Sequence, residues 1–242
     1  MFTSDIDTIK INAQTASALS TYTLSSVSVI IPAYNEAGRI GAVVRAVCQV
    51  EFVSEIIVVD DGSTDHTAEE ALAAAGSEVK VQVVRHSTNQ GKGQAMIDGW
   101  KAASDPLLLF LDADLIHLSP DHIRDLALPV LNQQAAMSMG IFEHGRWITD
   151  LSHRLTPWLT GQRCLLAELL NDLSLKAAAG YGFETALSME ANRRGWPVSI
   201  VPMRGVSHPT QLRRKGWSSV AFKTKMFAHI LRAWLIMRKV DG

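Results

Sequence analysis

Short aliphatic runs alternate along the first half of the chain with segments in which apolar residues recur every three or four positions. The runs predict strands at 27–31, 56–59, 81–84 and 107–111, and the periodic segments predict helices at 36–50, from the turn at 61–64 to 75, and at 93–103. Ser63 or Thr64 is the expected N-cap of the second helix, and Pro120 is expected in the first turn of a fourth. Strands that are apolar on both faces are typical of a parallel sheet covered by helices on each side, so the pattern predicts an α/β fold.

The two ends of the chain differ from this pattern. Residues 1–25 are rich in Ser, Thr, Asn and Asp without periodicity, which predicts a flexible N-terminal arm. Residues 26–242 contain no internal repeat and no low-complexity linker, so we expect them to form a single compact domain. Residues 217–240 have a helical pattern with an apolar side and a basic side. This predicts a helix that packs in the core or in a homodimer, with peripheral membrane contact as the alternative.

Composition narrows the class of protein. Of the 242 residues, 47% are hydrophobic and 19% are charged, as in an ordinary globular protein with a sizeable core. The net charge of -1 argues against a general nucleic-acid binder, which needs a clear basic excess. Cys48 and Cys164 form neither a disulfide framework nor a metal-binding spacing, and there is no signal-peptide pattern or uninterrupted apolar span. A cytoplasmic location is therefore expected.

Charge is unevenly distributed along the chain. From Arg193 onward Lys and Arg dominate, and Asp241 is the only acidic residue. Such a segment is either a solvated surface or a region that attracts an anion, such as a diphosphate, an anionic acceptor or a membrane surface. The sequence leaves both interpretations open.

Polar residues follow three of the predicted strands. They are Pro-Ala-Tyr-Asn-Glu at 32–36, Asp60-Asp61, and Asp112-Ala113-Asp114. Because the carboxyl ends of parallel strands form one edge of a sheet, where ligands bind in such folds, we expect the three clusters to meet. Asp112 and Asp114 are two positions apart in extended chain and so project to one face. Paired carboxylates of this kind can hold a hard divalent cation that carries phosphates.

Other residues of this edge suit a nucleotide. Asp60 and Asp61 can accept hydrogen bonds from a base or a ribose, although a helix-capping turn is the alternative role for this segment. Tyr34 is suited either to stack on a base or to pack in the fold. Gly91-Lys92-Gly93 offers a flexible backbone and one cation for a phosphate at a helix N-terminus. No Gly-x-Gly-x-x-Gly follows the first strand, which argues against a nicotinamide or flavin cofactor.

Taken in order, these motifs resemble the nucleotide-binding half of GT-A glycosyltransferases, especially family 2, over residues 27–118. The resemblance implies a Rossmann-like, mostly parallel sheet with helices on both faces, with residues 26–118 as the nucleotide-sugar-binding half and 119–242 as the acceptor-binding half. It also implies a nucleoside diphosphate sugar donor and Mn²⁺ or Mg²⁺ between the diphosphate and the Asp112 and Asp114 carboxylates. The implied nucleotide contacts are Pro32, Ala33, Tyr34, Glu36, Asp60, Asp61, Gly91, Lys92, Asp112 and Ala113.

The second half resembles glucosyl-3-phosphoglycerate synthases and related family 81 enzymes, which are retaining. The resemblance is carried by the segments 145–150, 161–163, 180–184 and 205–208. It implies that His208 is a third metal ligand and that Glu184 lies near the donor sugar. It implies an anionic acceptor held by Arg146, Thr149, Gly161, Gln162, Arg163 and Tyr181. The chain departs from the family pattern at two places. The segment around Arg146 has an extra residue, and the Asn that the family has shortly after the His is absent after His208.

The expected activity is therefore a metal-dependent glycosyl (hexosyl) transfer from a nucleoside diphosphate sugar, with uridine as the expected base and guanosine still open. The expected acceptor is anionic and resembles 3-phosphoglycerate. Asp114, Lys92 and Glu184 are the expected catalytic residues. Glu184 is a general base if the reaction inverts and a sugar contact if it retains. The alternatives are a polyprenyl-phosphate sugar synthase with a lipid-phosphate acceptor, a sugar-1-phosphate nucleotidyltransferase, and a non-catalytic nucleotide-sugar-binding protein.

Overall fold

The computed structural model describes residues 24–76, 79–143, 160–171, 173 and 182–209. These residues form the strands β1 Val27–Ala33, β2 Val53–Asp60, β3 Lys80–Arg85, β4 Leu107–Phe110, β5 Met137–Glu143, β6 Arg163–Leu166 and β7 Val198–Arg204. The α-helices are α1 Ile40–Val47, α2 Thr67–Ala73, α3 Lys92–Ala102, α4 Pro120–Leu131 and α5 Phe183–Arg194, and a 3₁₀ helix covers Ala167–Leu170. The predicted arm up to residue 23 and the predicted helix at 217–240 lie outside the described residues.

The strands form one mostly parallel sheet in the order β3-β2-β1-β4-β6-β5-β7. Strand β1 pairs in parallel with β2 and β4, and β2 pairs in parallel with β3. Strand β6 is antiparallel to both β4 and β5, whereas β5 and β7 are parallel. The predicted α/β class with a mostly parallel sheet is confirmed, and β6 is the strand that departs from the parallel arrangement.

The core lies on both faces of the central strands. Every residue of β1 is buried, which the continuous apolar run predicts for a strand covered on both sides. Helix α1 turns Ile40, Val43, Val44 and Val47 inward, and each fully buried aliphatic side chain stabilises the fold by roughly 1.5–3 kcal/mol. Helix α3 approaches the sheet closely at Gly99, where an added Cβ would lie 2.4 Å from Cγ2 of Ile30.

Two predicted helix starts are wrong by several residues. The first helix begins at Ile40 rather than at 36, because Asn35 has a φ of 54° and the following residues form turns. The second begins at Thr67 with His66 in the N-cap position, not Ser63 or Thr64. The side chain of Ser63 instead accepts a hydrogen bond from the Asn35 N–H at 3.0 Å. These polar residues therefore join two loops instead of capping a helix.

The elements after α4 were not predicted from the apolar pattern. Strand β7 alternates between exposed and buried positions, and α5 places two acidic and several small residues on buried positions, so neither gives a clear apolar stripe. Helices α4 and α5 each contain twelve residues. Within the described parts of the chain, no helix combines the length and the apolar character needed to cross a membrane.

Candidate active site

The three predicted polar clusters follow β1, β2 and β4 at one edge of the sheet. Ala33, the last residue of β1, is paired with Asp60, the last residue of β2. On the other side of β1, the N–H of Leu111 donates to the carbonyl of Ile30 at 3.0 Å, so the Asp112 segment leaves β4 beside the end of β1. The expectation that these clusters share one edge is confirmed by the register of the sheet.

Asp112, Asp114 and His208 form the group of side chains suited to a metal ion. One ligand atom of each residue lies within 4.8 Å of the others. His208 Nδ1 is 2.9 Å from Asp114 Oδ1, and His208 Nε2 is 3.5 Å from Asp112 Oδ2. Carboxylate oxygens with one imidazole nitrogen suit Mn²⁺, and two carboxylates suit Mg²⁺. The donor set therefore fits the predicted cation.

A backbone bridge brings His208 to the carboxylates. Ile116 N–H donates to the carbonyl of Ser207 at 2.8 Å, and Ser207 N–H donates back to the carbonyl of Ile116 at 3.2 Å. The bridge joins the loop after β4 to the loop after β7. The ring of Phe142 packs edge-on against the His208 imidazole, with 4.9 Å between the ring centroids. Residues 94 positions apart in sequence thus form one cluster.

The charges of this cluster stabilise one another. Burial alone would raise the pKa of Asp112, but the charges of Lys92 and His208 and hydrogen bonds from Lys92 and Gln162 lower it to about 2. Burial lowers the pKa of His208, but the hydrogen bond with Asp114 and the charge of Asp112 outweigh that effect, so the net shift is upward. Asp112 is consequently ionised at neutral pH.

Lys92 links the cluster to the second half of the chain. Its Nζ lies 2.6 Å from Asp112 Oδ1 and 2.8 Å from Glu184 Oε1. Burial opposes the charge of this ammonium, but the two carboxylates outweigh burial and raise the pKa of Lys92 above its ordinary value. Lys92 is the first residue of α3 and Glu184 lies in the first turn of α5, so one cation joins both helices and the Asp112 loop.

The segment 160–163, at the start of β6, packs beneath these charges. An added Cβ on Gly161 would lie 2.5 Å from Asp112 Oδ1 and 2.7 Å from Lys92 Nζ, so the ion pair occupies the space of a side chain. Gln162 Nε2 donates to Asp112 Oδ2 at 2.8 Å. Gly161 and Gln162 were predicted to bind an acceptor, and the structure places them directly against Asp112.

Arg163 lies in the interior of the protein. Its side chain is fully buried, and its guanidinium donates to the carbonyl of Thr160 and to Ser188 Oγ, each at 2.9 Å. Burial lowers the pKa of Arg163 to about 10, although the charge of Glu184 acts in the opposite direction. Arg163 thus connects β6 to α5 in this structure, and its predicted contact with an acceptor stays a prediction.

The predicted nucleotide-binding residues fall into exposed and buried groups. Tyr34 is 46% exposed, so its ring is accessible for stacking. Glu36 is buried, accepts a hydrogen bond from Arg39 Nε at 2.5 Å, and donates its own N–H to Thr67 Oγ1. Asp60 Oδ1 accepts the Ser63 N–H at 2.9 Å. Glu36 and Asp60 thus hold the loops of this edge in place.

Asp61 uses its carboxylate entirely within the protein. Oδ1 lies 2.7 Å from His86 Nδ1 and accepts the Gln90 N–H at 2.8 Å. Oδ2 accepts the Gly91 N–H at 2.8 Å. His86 was not among the predicted site residues, although its position two residues after Val84, the end of an apolar run, could have indicated that it lies at the carboxyl end of a strand.

Three of the predicted acceptor residues, Arg146, Thr149 and Tyr181, lie outside the described residues. Among the predicted nucleotide contacts, Pro32 and Ala33 end β1, Ala113 lies between Asp112 and Asp114, and Gly91 precedes α3 with a φ of 97°. The part of the site that the structure describes therefore joins the metal-ligand cluster, the Lys92 ion pairs and the edge expected to receive a base.

Comparison with known proteins identifies the family to which the chain is similar. The model of the family "Glycosyl transferase family 2" matches residues 28–196. Glucosyl-3-phosphoglycerate synthase from Mycobacterium tuberculosis is 28% identical over 198 residues, which are 68% of this chain and 60% of that protein. An undecaprenyl-phosphate 4-deoxy-4-formamido-L-arabinose transferase from Pseudomonas fluorescens is 35% identical over 127 residues, 50% of this chain and 35% of that protein. The chain thus matches less than two thirds of the length of these relatives.

Solved structures extend the similarity to most of the chain. The crystal structure of the M. tuberculosis glucosyl-3-phosphoglycerate synthase in complex with Mn²⁺, UDP-glucose and phosphoglyceric acid matches with a TM-score of 0.68 and 26% identity. The match covers 90% of this chain and 82% of that one. The GT-A-like fold and the resemblance of both halves, predicted from the motifs, are confirmed by these matches.

Proposed function

The chain belongs to glycosyl transferase family 2, and on that basis we propose that it transfers a sugar from a UDP-sugar to a small anionic acceptor with the help of a divalent metal ion. The observation that carries the proposal is the convergence of Asp112, Asp114 and His208 within 4.8 Å, beside the Lys92 ion pairs. The combination provides a cation site and a fixed positive charge at the edge of the sheet where a nucleotide is expected.

Asp112, Asp114 and His208 would hold Mn²⁺ or Mg²⁺, which would act as a Lewis acid towards the departing diphosphate. The protein's own residues contribute independently of the ion. Asp112 is ionised well below neutral pH, so it is a ligand throughout the physiological range. Lys92 carries a cation that can approach the phosphates of the donor, since its side chain is 26% exposed.

Glu184 is assigned to the donor sugar. Its carboxylate is almost fully buried at the start of α5 and is oriented by Lys92, which leaves it as a fixed acceptor for sugar hydroxyl groups. A hydrogen-bond acceptor held in this way positions the sugar relative to the diphosphate. An inverting reaction would instead use Glu184 as general base, and the anomeric configuration of the product decides between the two roles.

The acceptor is assigned from the relatives and from charge. The M. tuberculosis relative was solved with phosphoglyceric acid, which favours a 3-phosphoglycerate-like acceptor. The predominance of Lys and Arg from Arg193 onward is consistent with an anionic acceptor. The P. fluorescens relative acts on undecaprenyl phosphate by its name, so a polyprenyl phosphate is the second candidate.

Calorimetric titration of the protein with UDP and with GDP, each with Mn²⁺ and with EDTA, tests the donor assignment. We expect UDP to bind in the presence of Mn²⁺ and to bind at least tenfold more weakly with EDTA. Transfer from UDP-glucose to 3-phosphoglycerate or to a polyprenyl phosphate is then measured by the release of UDP. Absence of metal-dependent binding by either nucleotide would overturn the proposal, and a preference for GDP would replace the assigned base.

A further inference from the structure

We propose that His86 is a positioning residue that acts through Asp61 on the turn before α3 and so fixes Lys92 for the reaction. The proposal rests on the proposed function for its catalytic meaning, but its structural part concerns contacts within the protein. His86 directly follows β3, and its ring lies between Asp61 and Asp98.

Asp61 determines the shape of the turn. Its two oxygens accept the consecutive backbone N–H groups of Gln90 and Gly91, each at 2.8 Å. Gly91 has a φ of 97°, a backbone conformation that residues with a side chain rarely adopt, and the next residue is Lys92. The carboxylate of Asp61 therefore fixes the backbone from which Lys92 projects.

His86 holds Asp61 in this position. The imidazole side chain is only 7% exposed, with Nδ1 2.7 Å from Asp61 Oδ1 and Nε2 3.2 Å from Asp98 Oδ2. The backbone N–H of His86 donates to the carbonyl of Asp60 at 2.9 Å. Because Asp98 belongs to α3, His86 connects the end of β2 to the same helix that begins with Lys92.

Lys92 has little freedom to compensate for a displaced turn. Its Nζ contacts Asp112 Oδ1 and Glu184 Oε1 at 2.6 and 2.8 Å while it lies against Gly161. Functional groups have to be held within about 0.5 Å of their productive geometry by the residues that support them. A movement of the Gly91 backbone that is small on the scale of the fold would therefore separate Lys92 from a carboxylate.

Substitutions of His86 test each connection separately. In His86→Asn the amide nitrogen can replace Nδ1 towards Asp61, whereas in His86→Gln the longer side chain can replace Nε2 towards Asp98. His86→Ala removes both connections, and His66→Ala is the matched control because His66 is 93% exposed. If His86→Ala does not fold, the comparison of Asn with Gln still decides the proposal.

The first readout uses the protein without nucleotide. Two quantities are to be measured: the acylation of Lys92, by mass spectrometry, and the hydrogen exchange of the Gln90 and Gly91 amides. Both are expected to increase at least fivefold in His86→Ala and His86→Gln and to stay near wild type in His86→Asn and His66→Ala. Lys101, 59% exposed, serves as the internal reference for acylation. Equal values for the Asn and Gln variants, or unchanged Lys92 acylation in His86→Ala, would overturn the proposal.

The second readout is catalysis. A misplacement of about 1 Å can lower a rate by about 10²-fold, so His86→Gln is expected to lower kcat by about 10- to 100-fold. Loss of nucleotide affinity with an unchanged kcat would contradict a positioning role. If the wild-type protein neither binds UDP nor transfers sugar, the proposed function fails, while the acylation and exchange measurements still decide the role of His86.

Discussion

Two clusters of this protein use the same residue types, two aspartates and a histidine, in opposite ways. In the open cluster, Asp112 and Asp114 face His208, and the side chains of Asp114 and His208 are 23% and 33% exposed. In the closed cluster, the side chains of Asp61 and His86 are 4% and 7% exposed, and Asp98, at 26%, is the outer member of the group. Ligand chemistry needs accessible oxygens, whereas a carboxylate surrounded by backbone N–H groups organises its own loop. Composition alone does not distinguish the two.

The largest contrast is expected from removal of one open-cluster carboxylate. Asp114→Ala should lower transfer by about 10³-fold or more, because the metal ion would lose a ligand. The charge that develops on the leaving diphosphate would then be poorly compensated. Its free energy of unfolding should change by less than about 1 kcal/mol, since the side chain is partly exposed. Activity assays, Mn²⁺ titration and urea unfolding measure the three quantities. Turnover within tenfold of wild type would remove Asp114 from the metal site.

Gly161 tests how tightly the open cluster is packed. Gly161→Ala should lower transfer by about 10- to 100-fold, because its Cβ would occupy the space of the Lys92–Asp112 ion pair. Lys92 should also become more reactive to acylation. Gly76→Ala is the control, since among the described residues its added Cβ meets only Cys48 Cβ, at 3.8 Å. Normal kinetics in Gly161→Ala would show that the ion pair can shift without consequence.

Substitution of the central carboxylate of the closed cluster should also lower stability. Asp61→Ala should lower the free energy of unfolding by about 1–3 kcal/mol, because it leaves the Gln90 and Gly91 N–H groups and a buried His86 nitrogen without their acceptor. Asp61→Asn keeps one acceptor oxygen and should lose less. Urea unfolding monitored by circular dichroism compares the two. An Asp61→Ala protein as stable as wild type would contradict the structural role of this carboxylate.

The smallest effect is expected at the outer member of the closed cluster. Asp98 is 26% exposed and lies 3.2 Å from His86 Nε2, so Asp98→Asn should cost less than about 1 kcal/mol. Hydrogen exchange at Gln90 and Gly91 should change less than in His86→Gln, because an Asn oxygen still accepts from His86. A larger loss than in Asp61→Ala would reverse the order of importance within the cluster.

The sequence predicts the first half of the fold well because its strands are apolar throughout and each ends in polar residues. Asp112 and Asp114 were assigned to one site because positions two apart in extended chain share a face, and their carboxylates do lie together, although Ala113 and Asp114 form a turn after β4. The same geometry separates the neighbours Asp60 and Asp61, which were both assigned to the nucleotide, although Asp61 accepts hydrogen bonds from the Gln90–Gly91 turn. Proximity of an aspartate to a motif does not show which way its oxygens face.

The second half was harder to predict because its geometry depends on contacts between distant residues. The antiparallel strand β6 places Gln162 against Asp112, fifty positions earlier in the chain. Charged residues are mostly exposed in folded proteins, yet the guanidinium of Arg163 is buried and donates to oxygens of Thr160 and Ser188. Burial of a charged side chain depends on partners that no local pattern indicates.

The backbone bridge between Ile116 and Ser207 has a consequence for the order of events during synthesis. Strands β1 to β4, Asp112 and Asp114 all precede residue 115. The four parallel strands and both carboxylates have therefore been synthesised long before the chain reaches Ser207. Contacts between residues so far apart in sequence form slowly, because a large loop has to close. The nascent chain can therefore fold the edge proposed to bind the nucleotide early, and it acquires the third proposed metal ligand only when the segment after β7 has been made and docked.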